Sequence, residues 1–277
     1  MVLDSQQLVD AQGESLTIEQ AIANLRQTED PSLRYYAAWW LGRFRVNEPG
    51  AIAALVTALS DETDRAPDGG YPLRRNAARA LGKLGDRSVI PALVQCLDCP
   101  DYYVREAAAQ ALEMLRAESA IPPLRALLAG GVEAATPVPG KPHLVHPYNA
   151  ILEALGSLGA KDAVEEIAPF LEHAVPQVKN AAARAMYQLT GDATYCEHLV
   201  QVLQGSELQL RRSALMDLGA VGYLPAAGAI ATALAENSLK LIALQGVLEH
   251  HLQEIDFPSA SLSPEAREVM TLMDGLL

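Results

Sequence analysis

Three groups of side chains in this sequence could do chemistry. The first is aromatic: Tyr35-Tyr36 and Trp39-Trp40 lie in one short stretch, and Tyr102-Tyr103 in another. Tyr36 and Trp40 are four residues apart, as are Tyr35 and Trp39. In a helix one pair packs inward and the other stands at a surface. Such rings either cap an end of a helical stack or receive a flat apolar ligand or a partner protein. The second group is a ladder of cations at one repeat position: Arg34, Arg74 or Arg75, Arg105, Lys179, Arg211 or Arg212, and Lys240. These either pair with acids at neighbouring helix starts, such as Asp30, Asp98 and Asp101, or bind carboxylates, which suit guanidinium geometry. The third group sits in two segments that break the pattern. SDETDRAPDGGYP, residues 60–72, ends in Gly69-Gly70 and Tyr71, and GGVEAATPVPGKPHLVHPYN, residues 130–149, carries His143, His146, Tyr148 and Asn149. The two histidines either bind a metal or move protons, or are an ordinary exposed loop pair.

Other chemistry is thin. Cys96 and Cys99 form C-x-x-C, but no second ligand pair has zinc-site spacing, so no metal is expected and Cys96 reads as core. The only other cysteine is Cys196, which makes a disulfide framework untenable and points to a reducing compartment. No phosphate loop, nucleophile elbow or metalloprotease motif is present. The formal net charge is −13, which argues against a general nucleic-acid binder. No signal peptide and no run near 20 apolar residues is seen, so a cytoplasmic protein without membrane insertion is expected.

These residues are positioned by a repeat. LRYYAAWWLGRF, LRRNAARALGKLGD, VREAAAQALEML, YNAILEALGSLGA, VKNAAARAMYQLTGD, LRRSALMDLGAVG and the weaker LKLIALQGVLEH align on Leu41, Leu81, Leu112, Leu155, Met186, Leu218 and Val247. The spacings are 40, 31, 43, 31, 32 and 29, a basic period near 30 with two longer intervals. Each copy has helical periodicity: Leu73, Ala77, Ala80, Leu81 and Leu84 form one stripe. Between the copies lie companion helices at 49–60, 86–98, 117–129, 160–172 and 191–204, with Pro or Asp at their starts. One such pair cannot bury its own apolar face, so the pairs must stack. The fold class is all-α, an α-solenoid (superhelix) of about seven HEAT-like helix pairs. The expected organisation is an N-terminal extension at 1–16, a solenoid at 17–252 with insertions 60–72 and 130–149, and a linker with a capping helix at 253–277. Both insertions join the two helices of a pair, so they emerge on the same edge. They are either tolerated surface loops or the frame of a binding site.

The xRxxAAxALGxLGD repeat, the YYAAWWLGRFRV and YPLRRNAARALGKLGD blocks and the Gly-Gly-Tyr-Pro insertion resemble the E subunit of the E/F-type phycobilin lyases, cyanobacterial proteins built from short HEAT-like repeats. The resemblance spans about residues 17–252. It implies half of a heterodimer with an F-type subunit, acting on phycocyanobilin. The product is a thioether between the bilin's A-ring ethylidene and one cysteine of the phycocyanin α subunit. No cofactor of the chain's own is implied. His143, His146, Tyr71 or an acid of 61–68 would donate the proton. Tyr36, Trp40, Tyr102, Tyr148 and Asn149 would line the bilin, and Arg74, Arg75 and Arg105 would hold its propionates. Two other readings remain open: a non-enzymatic adaptor for phycobiliproteins, and a lyase subunit that also isomerises the bilin.

Overall fold

A computed structural model describes residues 16–254 and 262–277 of the chain. The expected N-terminal extension and most of the 253–263 linker lie outside the described residues. The chain divides into two compact units, residues up to 127 with 137–147, and 128–136 with 148–277. In the first, α1 (Ile18–Arg26) pairs with α2 (Pro31–Arg43), α3 (Pro49–Ala58) with α4 (Pro72–Leu84), and α5 (Ile90–Gln95) with α6 (Tyr102–Met114). The short α7 (Ile121–Ala126) follows. The second unit holds α8 (Gly131–Ala134) and α9 (Tyr148–Ser157). After them come the pairs α10 (Val164–Ile167) with α11 (Pro176–Thr190), α12 (Ala193–Val202) with α13 (Leu208–Val221), and α14 (Ala227–Thr232) with α15 (Asn237–Glu254). α16 (Pro264–Asp274) ends the chain. The fold is the expected all-α stack of HEAT-like pairs. Among the described residues no helix is long and apolar enough to cross a membrane.

The first helix of several pairs departs from expectation. Segments 86–98, 117–129 and 160–172 are each a short α-helix flanked by 3-10 or irregular turns. Their prolines explain this: Pro91, Pro122-Pro123 and Pro169 lack the N–H that a continuous α-helix needs.

The second helices carry the repeat, and all seven aligned apolar residues, Leu41 through Val247, are buried. The Leu-Gly signature has a packing cause. A Cβ added to Gly42 would lie 2.8 Å from the Ala80 Cα, and one on Gly82 2.8 Å from the Ala111 Cα. The corresponding distances are 2.6 Å for Gly156 and Ala185 and 2.7 Å for Gly219 and Ala243. The glycine of one copy thus receives the backbone of the next copy's alanine. Helices this close need a small residue on both sides.

Replacing Gly82 with leucine forces side-chain carbons into the α6 backbone, and overpacking of this kind costs about 3 kcal/mol. Chemical denaturation of Gly82→Leu should show that loss. Gly228→Ala, with nothing within 4 Å of the added carbon, should change stability by less than about 1 kcal/mol.

Candidate functional site

The ladder cations bridge the joints of adjacent repeats. Arg34 donates to the Leu25 carbonyl in its own joint (3.3 Å) and, in the next joint, to Asp61 (2.6 Å) and Thr63 (2.9 Å). Arg74 donates to the Asp61 and Ser60 carbonyls (2.5 and 3.3 Å), and its guanidinium lies 4.0 Å from the Cys99 Sγ. Arg105 donates to the Cys99 carbonyl (2.6 Å) and onward to that of Val145 (2.7 Å). Arg211 donates to the Gly205 and Leu234 carbonyls (2.7 and 2.8 Å). The partners of these four are mainly joint carbonyls rather than Asp30, Asp98 or Asp101, whereas Arg212 does pair with an acid at a helix start, Glu236 before α15. Asp30 and Asp101 instead cap α2 and α6 through backbone amides. In the fourth copy the ladder position holds Tyr148, which is 1% exposed and packs on Phe170 at 5.4 Å.

The insertions fold as compact loops. In 60–72, the Gly69 amide donates to the Ala66 carbonyl (2.8 Å) and the Ala66 amide to that of Gly70 (3.0 Å). The Ala66-Pro67-Asp68-Gly69 turn puts proline second and a positive-φ glycine (88°) last. In 130–149, α8 packs in the second unit, whereas 137–147 belongs to the first. There the Lys141 amide donates to the Val138 carbonyl (3.0 Å), across Pro139 and Gly140 (φ 73°), a type II pattern. A bridge between Pro137 and Leu144 closes the loop.

The two loops meet over the start of α6. Lys141 Nζ lies 3.4 Å from the Asp68 carbonyl. Between them is a cleft of about 350 Å³, whose lining includes Arg65, Tyr71, Tyr102, Tyr103, Lys141 and His143. The His143 ring stacks on Tyr102 with centroids 4.3 Å apart and 14° between planes, and meets the Tyr103 edge at 5.8 Å. Its Nδ1 lies 2.8 Å from the Leu144 carbonyl. The Tyr71 ring has the guanidiniums of Arg65 and Arg74 at 4.0 and 3.9 Å from its centroid. Arg65 also donates to the Tyr71 hydroxyl. Asp101 joins the walls: its carboxylate accepts from the Tyr71 amide (2.6 Å) and the Tyr103 amide (2.8 Å). A smaller cavity beside it adds Arg75, whose guanidinium lies 5.7 Å from the Tyr103 centroid.

Of the residues singled out in the sequence, Tyr71, Tyr102, Arg105 and His143 come together in this cleft, and Arg75 beside it. His146 is half-buried. Burial, and then the Arg105 charge, push its imidazole below the ordinary value, so it is neutral at pH 7. Arg74 acts on the cleft through Tyr71. Trp40 is in the core against Phe44 (5.0 Å), and Tyr36 is half-buried against Trp39 (5.5 Å), both on α2 away from the cleft lining. The exposed pair is instead Tyr35 and Trp39, 38% and 45% exposed. Tyr148 and Asn149 open α9 in the second unit. Sequence reasoning noted Tyr103 and Asp101 without assigning them to the site, and passed over Arg65 and Lys141. The Pro-Asp-Gly and Pro-Gly-Lys turns were the available signal for the two loop cations.

The chain's own thiols are unsuited to nucleophilic work. Burial, with Cys99 beside it and against the charge of Arg74, pushes the Cys96 thiol up to about 12, and burial does the same for Cys196. Cys99 is also buried. Burial, then Glu106 and Tyr103, against the charge of Arg105, push the Tyr102 phenol up to about 12, so it remains a hydroxyl. No cluster of three metal-ligating side chains occurs among the described residues.

Comparison with known proteins places this chain in a family. Residues 63–135 and 144–237 match the HEAT repeats model, and 33–61 the PBS lyase HEAT-like repeat. The phycocyanobilin lyase subunit alpha of Synechocystis is 63% identical over 262 residues, covering 94% of this chain and 96% of its own length. The protein of the same name from Picosynechococcus is 59% identical over 264 residues, covering 95% and 97%. The chain belongs to the phycocyanobilin lyase α-subunit family. A solved member, in the complex of CpcE and CpcF of phycocyanin lyase from Nostoc, is 60% identical, with a TM-score of 0.89 over 99% of this lyase subunit and all of that chain.

The first insertion of the lyase subunit rests on one buried ion pair, since the Arg34 and Asp61 side chains are 8% and 11% exposed. Burial raises the Asp61 carboxyl. Hydrogen bonds from Arg34, the Asp64 amide and Thr63, with the Arg34 charge, outweigh it and hold the group below its ordinary value. Its stabilising contribution is therefore present above the unfolded value near 4 and is lost as pH falls through the lower folded value. Arg34→Met leaves the carboxylate buried and unpaired, at a cost of about 3 kcal/mol. Denaturant titrations across pH should show that cost in full at pH 7 and a smaller one only once pH falls through the lowered folded value, where Asp61 is protonated in both states.

Proposed function

We propose that this chain, with an F-type partner subunit, attaches phycocyanobilin by a thioether to a cysteine of the phycocyanin α subunit in the cytoplasm. Phycocyanobilin is the substrate, and no cofactor of the chain's own takes part. The partner reading rests on the two-chain complex of the Nostoc relative. The observation that carries the site is the cleft where the two insertions meet.

In this reading the acceptor's thiol adds across the ethylidene double bond. Sulfur bonds to the ethylidene carbon, the displaced electron pair moves into the tetrapyrrole, and a proton is delivered to the adduct. The net change is addition of S–H across C=C, with nothing oxidised or reduced. The nucleophile belongs to the acceptor, in keeping with the buried thiols of Cys96 and Cys196. The chain holds the bilin in one conformation and supplies the proton. Tyr102 and Tyr103 offer faces for a conjugated ring. Arg65 and Lys141 lack a carboxylate within 4 Å among the described residues, despite a surplus of acids over bases (34 against 21). They suit the two propionates. His143 is the better-placed proton donor of the two histidines, because its ring lines the cleft, stacked on Tyr102, whereas His146 is not among the lining side chains.

Co-expression with an F-type subunit, phycocyanobilin and apo-phycocyanin α should give a covalent adduct that fluoresces with zinc on a denaturing gel. No adduct with a competent partner would overturn the reading, and capture of phycocyanin α without transfer would make the chain an adaptor. A product absorbing at shorter wavelength would make it an isomerising lyase. His143→Gln should slow attachment by about a hundredfold, the lower end for lost general-acid help, with the complex intact.

A further inference from the structure

We infer that Asp101 is a positioning residue for the attachment reaction: its carboxylate sets the distance between the Tyr71 wall and the Tyr102-Tyr103-His143 wall of the cleft. This inference rests on the proposed lyase reading of that cleft.

Asp101 does two separable things. As the N-cap of α6 it accepts the Tyr103 amide at 2.8 Å through Oδ1, a local role that any short polar side chain could fill. Through Oδ2 it accepts the Tyr71 amide at 2.6 Å, thirty residues away in sequence. Tyr71 itself has no side-chain cap to offer α4. The second bond belongs to no helix. It ties the exit of the first insertion to the helix whose first two residues grip His143, at 4.3 Å face to face and 5.8 Å edge on. The tether is tightly seated, because a Cβ on Gly70 would approach the same Oδ2 to 3.2 Å. Asp101 lines both cavities, at the seam where the two walls meet. Without it, the Arg65–Tyr71–Arg74 stack keeps its own contacts but loses its register against the histidine. Misplacing a reacting pair by about 1 Å costs up to a hundredfold in rate.

The test separates the cap from the tether. Asp101→Asn and Asp101→Ser keep an acceptor for the α6 cap but lack a second oxygen anion for the Tyr71 amide, whereas Asp101→Ala loses both. Each is assayed as the heterodimer with phycocyanobilin and apo-phycocyanin α, beside the unaltered chain and a thermal melt. The expected result is a fall in kcat of about tenfold for all three variants, with KM for the bilin within about threefold. Melting should fall clearly only in Asp101→Ala. Unchanged kcat in Asp101→Asn and Asp101→Ser would overturn the inference, as would activity that follows the melting order. No adduct from the unaltered pair would instead overturn the lyase reading.

Discussion

A buried guanidinium must find acceptors, and in this protein the acceptors are the turns between helices. In four of the seven copies the ladder position, near the start of the second helix, holds an arginine, whose five N–H donors need acceptors. Burial without partners would cost several kcal/mol, so the carbonyls of the joint must turn toward it. Arg34, Arg74, Arg105 and Arg211 each reach their own joint and the next one. The result is a line of staples along one edge of the first unit, which fixes where its loops leave the helices, and Arg211 repeats the device in the second unit.

That constraint turns two insertions into a site. Extra residues at an ordinary joint would wander, but here the base of each insertion is held by a ladder arginine. Asp61 and Thr63 are bound by Arg34, and Val145 by Arg105. Proline–glycine turns then fold the loops back over α6. The cations left over at the loop tips, Arg65 and Lys141, stand in a chain with far more acids than bases. An anion is the natural complement to such a pair, and under the proposed function a flat tetrapyrrole with two carboxylates would meet both the cations and the tyrosine faces.

Much of the fold was legible because its causes are local and periodic. The alanines and glycines at fixed offsets from Leu41, Leu81 and Leu218 are the direct imprint of helix backbones in contact, so spacing alone revealed them. The interrupted first helices were less legible, since Pro91 and Pro169 are as compatible with a helix start as with a broken helix. The candidate site was half legible. His143, Tyr71 and Tyr102 stood out by residue type and by their place in or beside the insertions. The ladder arginines were read as possible ligand contacts, yet their guanidiniums are engaged by backbone carbonyls. Nothing in a one-dimensional pattern distinguishes a carbonyl acceptor from a ligand carboxylate. Trp40 and Tyr148 drew notice as large rings near the pattern, and both are core residues. Asp101 was legible as a helix start but not as a tether, because the Tyr71 amide it binds is thirty residues distant.

The central claim is that the bilin occupies the cleft between the two insertions. Hydrogen–deuterium exchange of the heterodimer with and without phycocyanobilin tests it most directly. The account predicts bilin-dependent protection in peptides covering 65–72, 101–105 and 138–145, with little change in α2 or in the second unit. Protection centred on Tyr35 and Trp39, with none at the insertions, would contradict it.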